Sequence, residues 1–270
     1  MEHDPTNATL LARDDLTDIL SIVRVGVDAG TVPTFTPGQF VRLGVPRGPM
    51  IGSVDAQPVS RPGRVRLYRR AYSIASSPAV TDWMEFFVVR VEDGKLTPRL
   101  WEIYPGGRLW MDDEAKGEFR IDVAPPGKDL VMISTGTGIA PFMSMLRTYA
   151  GRGPWRRFVM INGARYAADL AYVTELHRIV QSDPTVVYLP ILTREPEGGA
   201  WTGLRGRVQT ALEPATYERL VGVTLDPAEC HVFLCGNPAM IDDVERELGA
   251  RGFATDSREQ RGNVHFERYW

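Results

Sequence analysis

Cysteine is scarce. Cys230 and Cys235 are the only two in 270 residues. Two thiols cannot supply the four thiolates of the usual iron–sulfur cluster, and they make no disulfide framework. A reducing compartment, the cytoplasm, is the natural expectation. Lysine is nearly absent: Lys95, Lys116 and Lys128 leave 28 arginines among the 31 basic residues. The four histidines, His3, His177, His231 and His265, are scattered, so neither a metal site nor a Ser-His-Asp triad is expected. No acid pair is placed for hydrolysis. Neither sign of charge dominates: 31 basic against 34 acidic residues give a net charge of −3, which argues against a general nucleic-acid binder. No apolar run reaches the ~18 residues of a membrane span. The opening MEHDPTNATLLARDD is acidic and lacks a basic-then-apolar export pattern. Internal repeats and low-complexity tracts are missing too. What remains is an ordinary globular balance, 43% hydrophobic and 24% charged, over a length that suits two modest domains.

The two halves carry different patterns. Leu16–Val27, Gln39–Val45, Arg64–Ile74, Met84–Val91 and Gly117–Val123 have β character. Thr36-Pro37-Gly38 and Tyr104-Pro105-Gly106-Gly107 punctuate them, which predicts an antiparallel sheet or barrel over residues 1–123. Residues 48–63 are rich in Gly and Pro and read as an exposed loop. Ala124-Pro125-Pro126-Gly127 reads as a linker. From 128 to 270 strands and helices alternate: strands at Leu130–Ser134, Arg157–Asn162, Val186–Leu192 and His231–Cys235, and helices at Pro141–Tyr149, Asp169–Gln181, Gly206–Leu212 and Pro238–Leu248. That alternation predicts an α/β domain with a parallel sheet covered on both faces.

Three motifs suggest chemistry. Leu130–Ser134 runs into Thr135-Gly136-Thr137-Gly138-Ile139-Ala140-Pro141, a strand, a glycine turn and a helix with proline in its first turn. Such a turn lets backbone N–H groups approach a pyrophosphate, although it is not GxGxxG and a purely structural turn fits these residues equally well. Cys235-Gly236-Asn237-Pro238-Ala239-Met240 joins another strand to another helix on the same sheet edge, where open α/β sheets bind ligands. In isolation Cys235 is best read as a small buried hydrophobe. Arg165, Arg194, Arg205 and Arg207 follow strands or open helices on that edge and offer phosphate-binding forks. In the first half Arg70-Ala71-Tyr72-Ser73 closes a β run, with a charge, a flat ring and a hydroxyl. Around it Arg61, Arg64, Arg66, Arg69 and Arg70 put five arginines in ten residues, either one charged strand face or a docking patch for an acidic partner.

Arg70–Ser73, Gly136–Pro141 and Cys235–Met240, in this order and spacing, resemble the ferredoxin–NADP(+) reductase family, more narrowly its bacterial ferredoxin/flavodoxin branch. Asp93-Gly-Lys-Leu-Thr-Pro-Arg-Leu100, Gly163–Tyr172, Thr193-Arg-Glu195 and the ending Glu267-Arg-Tyr-Trp270 add to the resemblance, which spans roughly residue 10 onward. The resemblance implies an N-terminal antiparallel β-barrel holding FAD and a C-terminal parallel sheet holding NADP(H). It places Arg70 at the flavin pyrophosphate, Tyr72 on the isoalloxazine and Ser73 near N5, with Ala71 between them. Val88, Val89, Lys95, Leu96 and Thr97 line the rest of the FAD. Thr137 touches flavin or nicotinamide, while Gly136 and Gly138 cradle the NADP pyrophosphate. Ala164, Arg165, Thr193, Arg194 and Arg207 surround the 2′-phosphate, with Arg205 second to Arg207, and Asp243 lies at the adenosine end. Cys235 sits near the nicotinamide, Tyr269 covers the other flavin face and Trp270 stacks on the FAD adenine. The catalytic set it implies is Tyr72, Ser73, Cys235 and Tyr269, with no metal. The implied activity is electron transfer between NADPH, as hydride, and ferredoxin or flavodoxin, as single electrons, by a cytoplasmic monomer. Two other readings stay open: an NAD(P)H:flavin reductase or oxygenase reductase component, and a flavin-binding subunit without turnover. The loop 48–63 is longer than the family's usual connection, and its role is open.

Overall fold

The structure, a computed structural model, describes residues 5–47 and 66–268. The chain forms two compact units, Met1–Gly117 and Glu118–Trp270.

The first unit is antiparallel. Its strands are β1 (Ala8–Thr17), β2 (Leu20–Val27), β3 (Phe40–Pro46), β4 (Leu67–Ser73), β5 (Met84–Val89) and β6 (Arg108–Met111), ordered β4-β3-β6-β1-β2-β5. A short helix, α1 (Thr97–Trp101), follows β5. Beyond the end of β4, the Ala75 N–H donates to the Glu85 carbonyl of β5 at 2.8 Å, so the two outer strands meet and the sheet curls into a barrel. The inward side chains, among them Leu10, Val23, Val25, Val41, Leu43, Phe86, Leu109 and Met111, are fully buried. Burying them supplies the driving force, at ~25 cal/mol per Å² of apolar surface. Asp112 pins β3 to the strand beside it: it accepts from the Arg42 backbone N–H at 2.9 Å and from both arms of its guanidinium at 2.8 Å.

The second unit is a parallel sheet. It holds β7 (Asp129–Thr135), β8 (Arg157–Ala164), β9 (Val186–Leu192), β10 (Leu204–Arg205), β11 (Cys230–Gly236) and β12 (Val264–Arg268), ordered β10-β9-β8-β7-β11-β12. The helices are α2 (Ile139–Tyr149), α3 (Val173–Ser182), α4 (Pro214–Val221) and α5 (Pro238–Ala250). Between β7 and β11 the strand order reverses direction, which defines the topological switch point.

Several expectations need correction. Leu16–Val27 is not one strand but the end of β1, a tight turn and β2. Gly117–Val123 forms no strand: Ile121–Val123 is a 3₁₀ turn, and Phe119 packs at 5.8 Å from Phe142 and 5.9 Å from Phe233, within the second unit. The helix expected at Gly206–Leu212 is only a 3₁₀ turn, Val208–Ala211, because Pro214 opens a separate helix, α4. The helix expected from Asp169 starts at Val173, after Tyr172 takes a left-handed conformation at φ 61°. The loop 48–63, Arg61, Arg64, Tyr269 and Trp270 lie outside the described residues.

Candidate functional site

In the first unit the candidate residues belong to β4. Its register places Arg70 opposite Leu43, Tyr72 opposite Val41 and Ser73 opposite Phe40. The period of two puts Tyr68, Arg70 and Tyr72 on one face and Arg69, Ala71 and Ser73 on the other. Tyr72 leans edge-on against Phe86, with ring centroids 6.4 Å apart, and burial pushes its phenol above the ordinary range. Arg70 is exposed and donates at 2.8 Å to the carbonyl of Arg69, which leaves the rest of its fork without a partner among the described residues. Ala71 is exposed and Ser73 buried. Arg47 and Arg99 stand 4.9 and 5.0 Å from the Tyr68 ring, and Arg69 stacks 3.7 Å from Trp110.

Val88 lies fully inside the barrel core, and Leu96 is almost as deep, so neither side chain is free to line a ligand; a contact there falls to the backbone. Val89 is half-buried and Lys95 is exposed. The Thr97 hydroxyl accepts from the Val91 N–H at 2.9 Å and holds the loop before α1 closed. Gly94 permits that loop, since a Cβ there would stand 2.8 Å from the Val91 carbonyl oxygen.

In the second unit the candidate residues gather on the carboxyl edge of the sheet. Gly136 has φ +54°, and a Cβ added to it would meet nothing within 4 Å, so its backbone faces open space. Gly138 is the opposite case: its Cβ would lie 2.1 Å from the Cys235 carbonyl oxygen, so only glycine allows the β7 and β11 turns to touch. Thr135, a residue with no distinguishing signal in the sequence, ties them together by accepting from the Asn237 N–H at 3.1 Å. Asn237 in turn caps α5, its Oδ1 accepting from the Ala239 N–H at 2.8 Å, with Pro238 in the first turn. Thr137 is half-buried. Cys235 is wholly buried, between Ser134 of β7 and Glu267 of β12.

One strand-width to the side, the ends of β8, β9 and β10 meet. The Thr193 N–H donates to the Ala164 carbonyl at 3.0 Å and the Arg194 N–H to the Arg165 carbonyl at 2.9 Å. The Arg165 and Arg194 side chains are exposed and make no hydrogen bond or ion pair among the described residues. Arg207 is 77% exposed and 3.8 Å from the Asp243 carboxylate, which also pairs with Arg246. Arg205 is committed elsewhere: it donates to the carbonyls of Glu195 at 2.5 Å, Pro196 at 3.1 Å and Trp201 at 3.2 Å.

Two further clusters lie at the opposite, amino edge, the first half-buried and the second buried. His231 Nδ1 and His265 Nε2 are 3.1 Å apart with stacked rings, and the Asp256 carboxylate is 3.7 Å from His265. Burial, with the facing His231, pushes His265 down to about 4. Asp129 accepts from Arg156 at 2.8 Å and Arg157 at 3.0 Å. Near it Tyr217 is fully buried with its hydroxyl lacking a hydrogen-bond partner among the described residues, and burial pushes the Cys230 thiol up to about 11. Among the described residues no cluster of His, Cys, Asp and Glu is arranged to hold a metal, and no helix is long and apolar enough to cross a membrane.

This architecture, an antiparallel barrel followed by a parallel sheet with a glycine turn at its switch point, is that of a two-domain nucleotide-dependent oxidoreductase. Residues 132–246 match the family described as the oxidoreductase NAD-binding domain. The flavodoxin/ferredoxin–NADP reductase of Escherichia coli is 33% identical over 246 residues, covering 90% of this chain and 91% of that one. Ferredoxin–NADP reductase B of Sorangium cellulosum is 33% identical over 269 residues, covering 100% and 99%. A crystal structure of a ferredoxin NADP+ reductase from Neisseria gonorrhoeae, with bound FAD and NADP, superposes with a TM-score of 0.81 at 25% identity, covering 97% of this chain and 98% of that one. The chain belongs to the flavodoxin/ferredoxin–NADP reductase family.

Proposed function

We propose that this protein is an FAD-dependent oxidoreductase that moves electrons between NADPH and ferredoxin or flavodoxin. The observation that carries the reading is the glycine turn at the switch point beside an edge holding two uncommitted arginines, in a chain whose barrel strand presents Arg70, Tyr72 and Ser73. The residues fit both cofactors. The bare backbone at Gly136 leaves room for a pyrophosphate, and the unengaged arms of Arg70 suit another.

Bound FAD supplies the conversion between a two-electron hydride donor and one-electron carriers. The protein's part is placement. Arg70 neutralises the flavin pyrophosphate, with Ala71 beside it and the backbone of Val88, Val89, Lys95, Leu96 and Thr97 along the cofactor. Tyr72 presents its ring to the isoalloxazine and Ser73 a hydroxyl near N5. Its buried phenol stays protonated, so Tyr72 works as a neutral stacking surface. Gly136, Thr137 and Gly138 receive the NADP pyrophosphate, and Cys235 sets the floor of the nicotinamide site. Ala164, Arg165, Thr193, Arg194 and Arg207 hold the 2′-phosphate, with Asp243 beside Arg207. Tyr269 and Trp270, assigned by the resemblance to the flavin face and the adenine, lie outside the described residues. No side chain needs to deliver a proton to the hydride step.

The exposed Arg66, Arg69 and Arg70, spread over both faces of the β4 segment, put positive charge at this end of the barrel that suits an acidic carrier. The two buried thiols, neither in a disulfide, agree with work in the cytoplasm. Steady-state kinetics of Arg194→Ala with NADPH and NADH test the nucleotide assignment. Loss of one charge-assisted contact, worth ~1.5–3 kcal/mol, should weaken NADPH tenfold or more and leave NADH nearly unchanged. An equal loss with both would remove Arg194 from the 2′-phosphate.

A further inference from the structure

Arg205 and Glu195 do not face solvent as free ions; both are spent on backbone. The three carbonyls that Arg205 gathers, those of Glu195, Pro196 and Trp201, belong to one loop, which runs from the end of β9 back to β10. Trp201 closes its far side by donating from Nε1 to the Leu204 carbonyl at 3.0 Å. Glu195 reaches the other way: its Oε2 accepts from the Ala167 N–H at 2.9 Å, two residues past Arg165. Arg194 sits immediately before Glu195 and is already joined to Arg165 through the backbone at 2.9 Å. A chain of contacts therefore runs from β10 through Arg205, Glu195 and Ala167, and it fastens the turns that carry Arg194 and Arg165 to one another.

Neither residue is needed to build the core. Arg205 is half-buried in the loop, Glu195 is half-buried at the edge, and neither belongs to the hydrophobic cluster of the sheet. Two arginines that must close on one phosphate lose side-chain and loop freedom on binding, and a loop already fixed reduces that loss. A carboxylate beside a phosphate site would by itself oppose binding. Its hydrogen bond to the Ala167 N–H gives it a different use.

We propose that Arg205 and Glu195 are positioning residues for the 2′-phosphate: they hold Arg194 and Arg165 in register, and neither contacts the phosphate. The inference rests on the assignment of that phosphate to the edge of β8–β10 made above. It accounts for two arginines, Arg205 and Arg207, so close together: the engaged arms of Arg205 serve the loop, and the exposed Arg207 serves the ligand.

The test is titration of the FAD-loaded enzyme with NADP(+), NAD(+), 2′,5′-ADP and 5′-ADP, for the wild type, Arg205→Ala, Arg205→Lys, Glu195→Ala, Glu195→Gln and Arg194→Ala. Arg205→Ala and Glu195→Ala should each weaken NADP(+) and 2′,5′-ADP by about tenfold, the scale of one charge-assisted contact, while NAD(+) and 5′-ADP stay put. With NADPH, KM should rise and kcat should hold. Arg205→Lys, a single point charge, should restore only part of the loss. Glu195→Gln keeps an acceptor for Ala167 and drops the negative charge, so it should bind NADP(+) as well as the wild type or better. The Arg205→Ala, Glu195→Ala double variant should lose little more than either single one, as members of one network do. Equal weakening of phosphorylated and unphosphorylated nucleotides, no weakening, or a Glu195→Gln variant as weak as Glu195→Ala would each overturn the proposal. If instead Arg194→Ala leaves 2′,5′-ADP binding intact, the 2′-phosphate assignment itself fails. If Arg205→Ala does not fold, Glu195→Ala against Glu195→Gln still decides the question.

Discussion

The two units offer a nucleotide different things. In the barrel the candidate groups are side chains on a regular strand: Arg70 and Tyr72 project from β4 at positions two apart, fixed by pairing with β3. In the parallel unit they are backbone turns and loop arginines at strand ends, where Gly136 leaves space and Gly138 lets two turns touch. A strand can lose a side chain and keep its ladder. A glycine contact cannot gain a side chain without moving the backbone. Ligand binding and stability should thus be separable in the barrel and inseparable at the switch point.

Gly138→Ala should produce the largest effect. Its methyl would enter the Cys235 carbonyl, and the overpacking should cost about 3 kcal/mol or more of unfolding free energy. Denaturant unfolding measures it, and a variant as stable as the wild type would dissolve the contrast. Arg70→Ala is the counterpart. FAD binding should weaken by ~1.5–3 kcal/mol, read as cofactor released on gel filtration, while the apoprotein melts where the wild-type apoprotein does. A collapse in apoprotein stability would show that the barrel's ligand groups also hold the fold.

A smaller effect comes from the amino edge of the parallel sheet. His265 has a folded-state value of about 4 against an ordinary 6.5. The unfolded chain takes up that proton first as pH falls, so the stability held above about 6.5 is lost progressively down to about 4. Between pH 7 and pH 5 that loss should be roughly 1–2 kcal/mol, and His265→Gln should remove that part of it. Parallel pH profiles for the two proteins would contradict the assignment. The smallest expected change is at Tyr217, whose buried hydroxyl is unsatisfied among the described residues. Tyr217→Phe should leave stability equal or raise it by up to about 1 kcal/mol. A clear destabilisation by chemical denaturation would mean that the hydroxyl has a partner, such as a buried water.

The parallel unit was the more legible in sequence. Its central strands are buried on both faces, so Leu130–Ser134 and Arg157–Asn162 stand out as apolar runs. The missed strand β12, Val264–Arg268, is an edge strand with His, Glu and Arg in five residues. In the barrel, β1 hid because register shifts between Leu10 and Ala12 and between Asp15 and Thr17 break its alternation. β6 has only four residues. Among the candidate site residues, the strand-end position of the glycine turn and the strand position of Arg70–Ser73 were readable from type and order. The separate duties of Arg205 and Arg207 were not, because both are arginines near the same turn and only the fold shows which one is already engaged.

This chain is expected to carry FAD that exchanges electrons with NADPH in preference to NADH. Anaerobic titration of the purified yellow protein with each nucleotide, following the flavin absorption band, tests it directly. NADPH should bleach the band at near-stoichiometric amounts, and NADH should require far more. Bleaching by both alike would contradict the 2′-phosphate site, and a band that neither nucleotide bleaches would contradict the oxidoreductase reading itself.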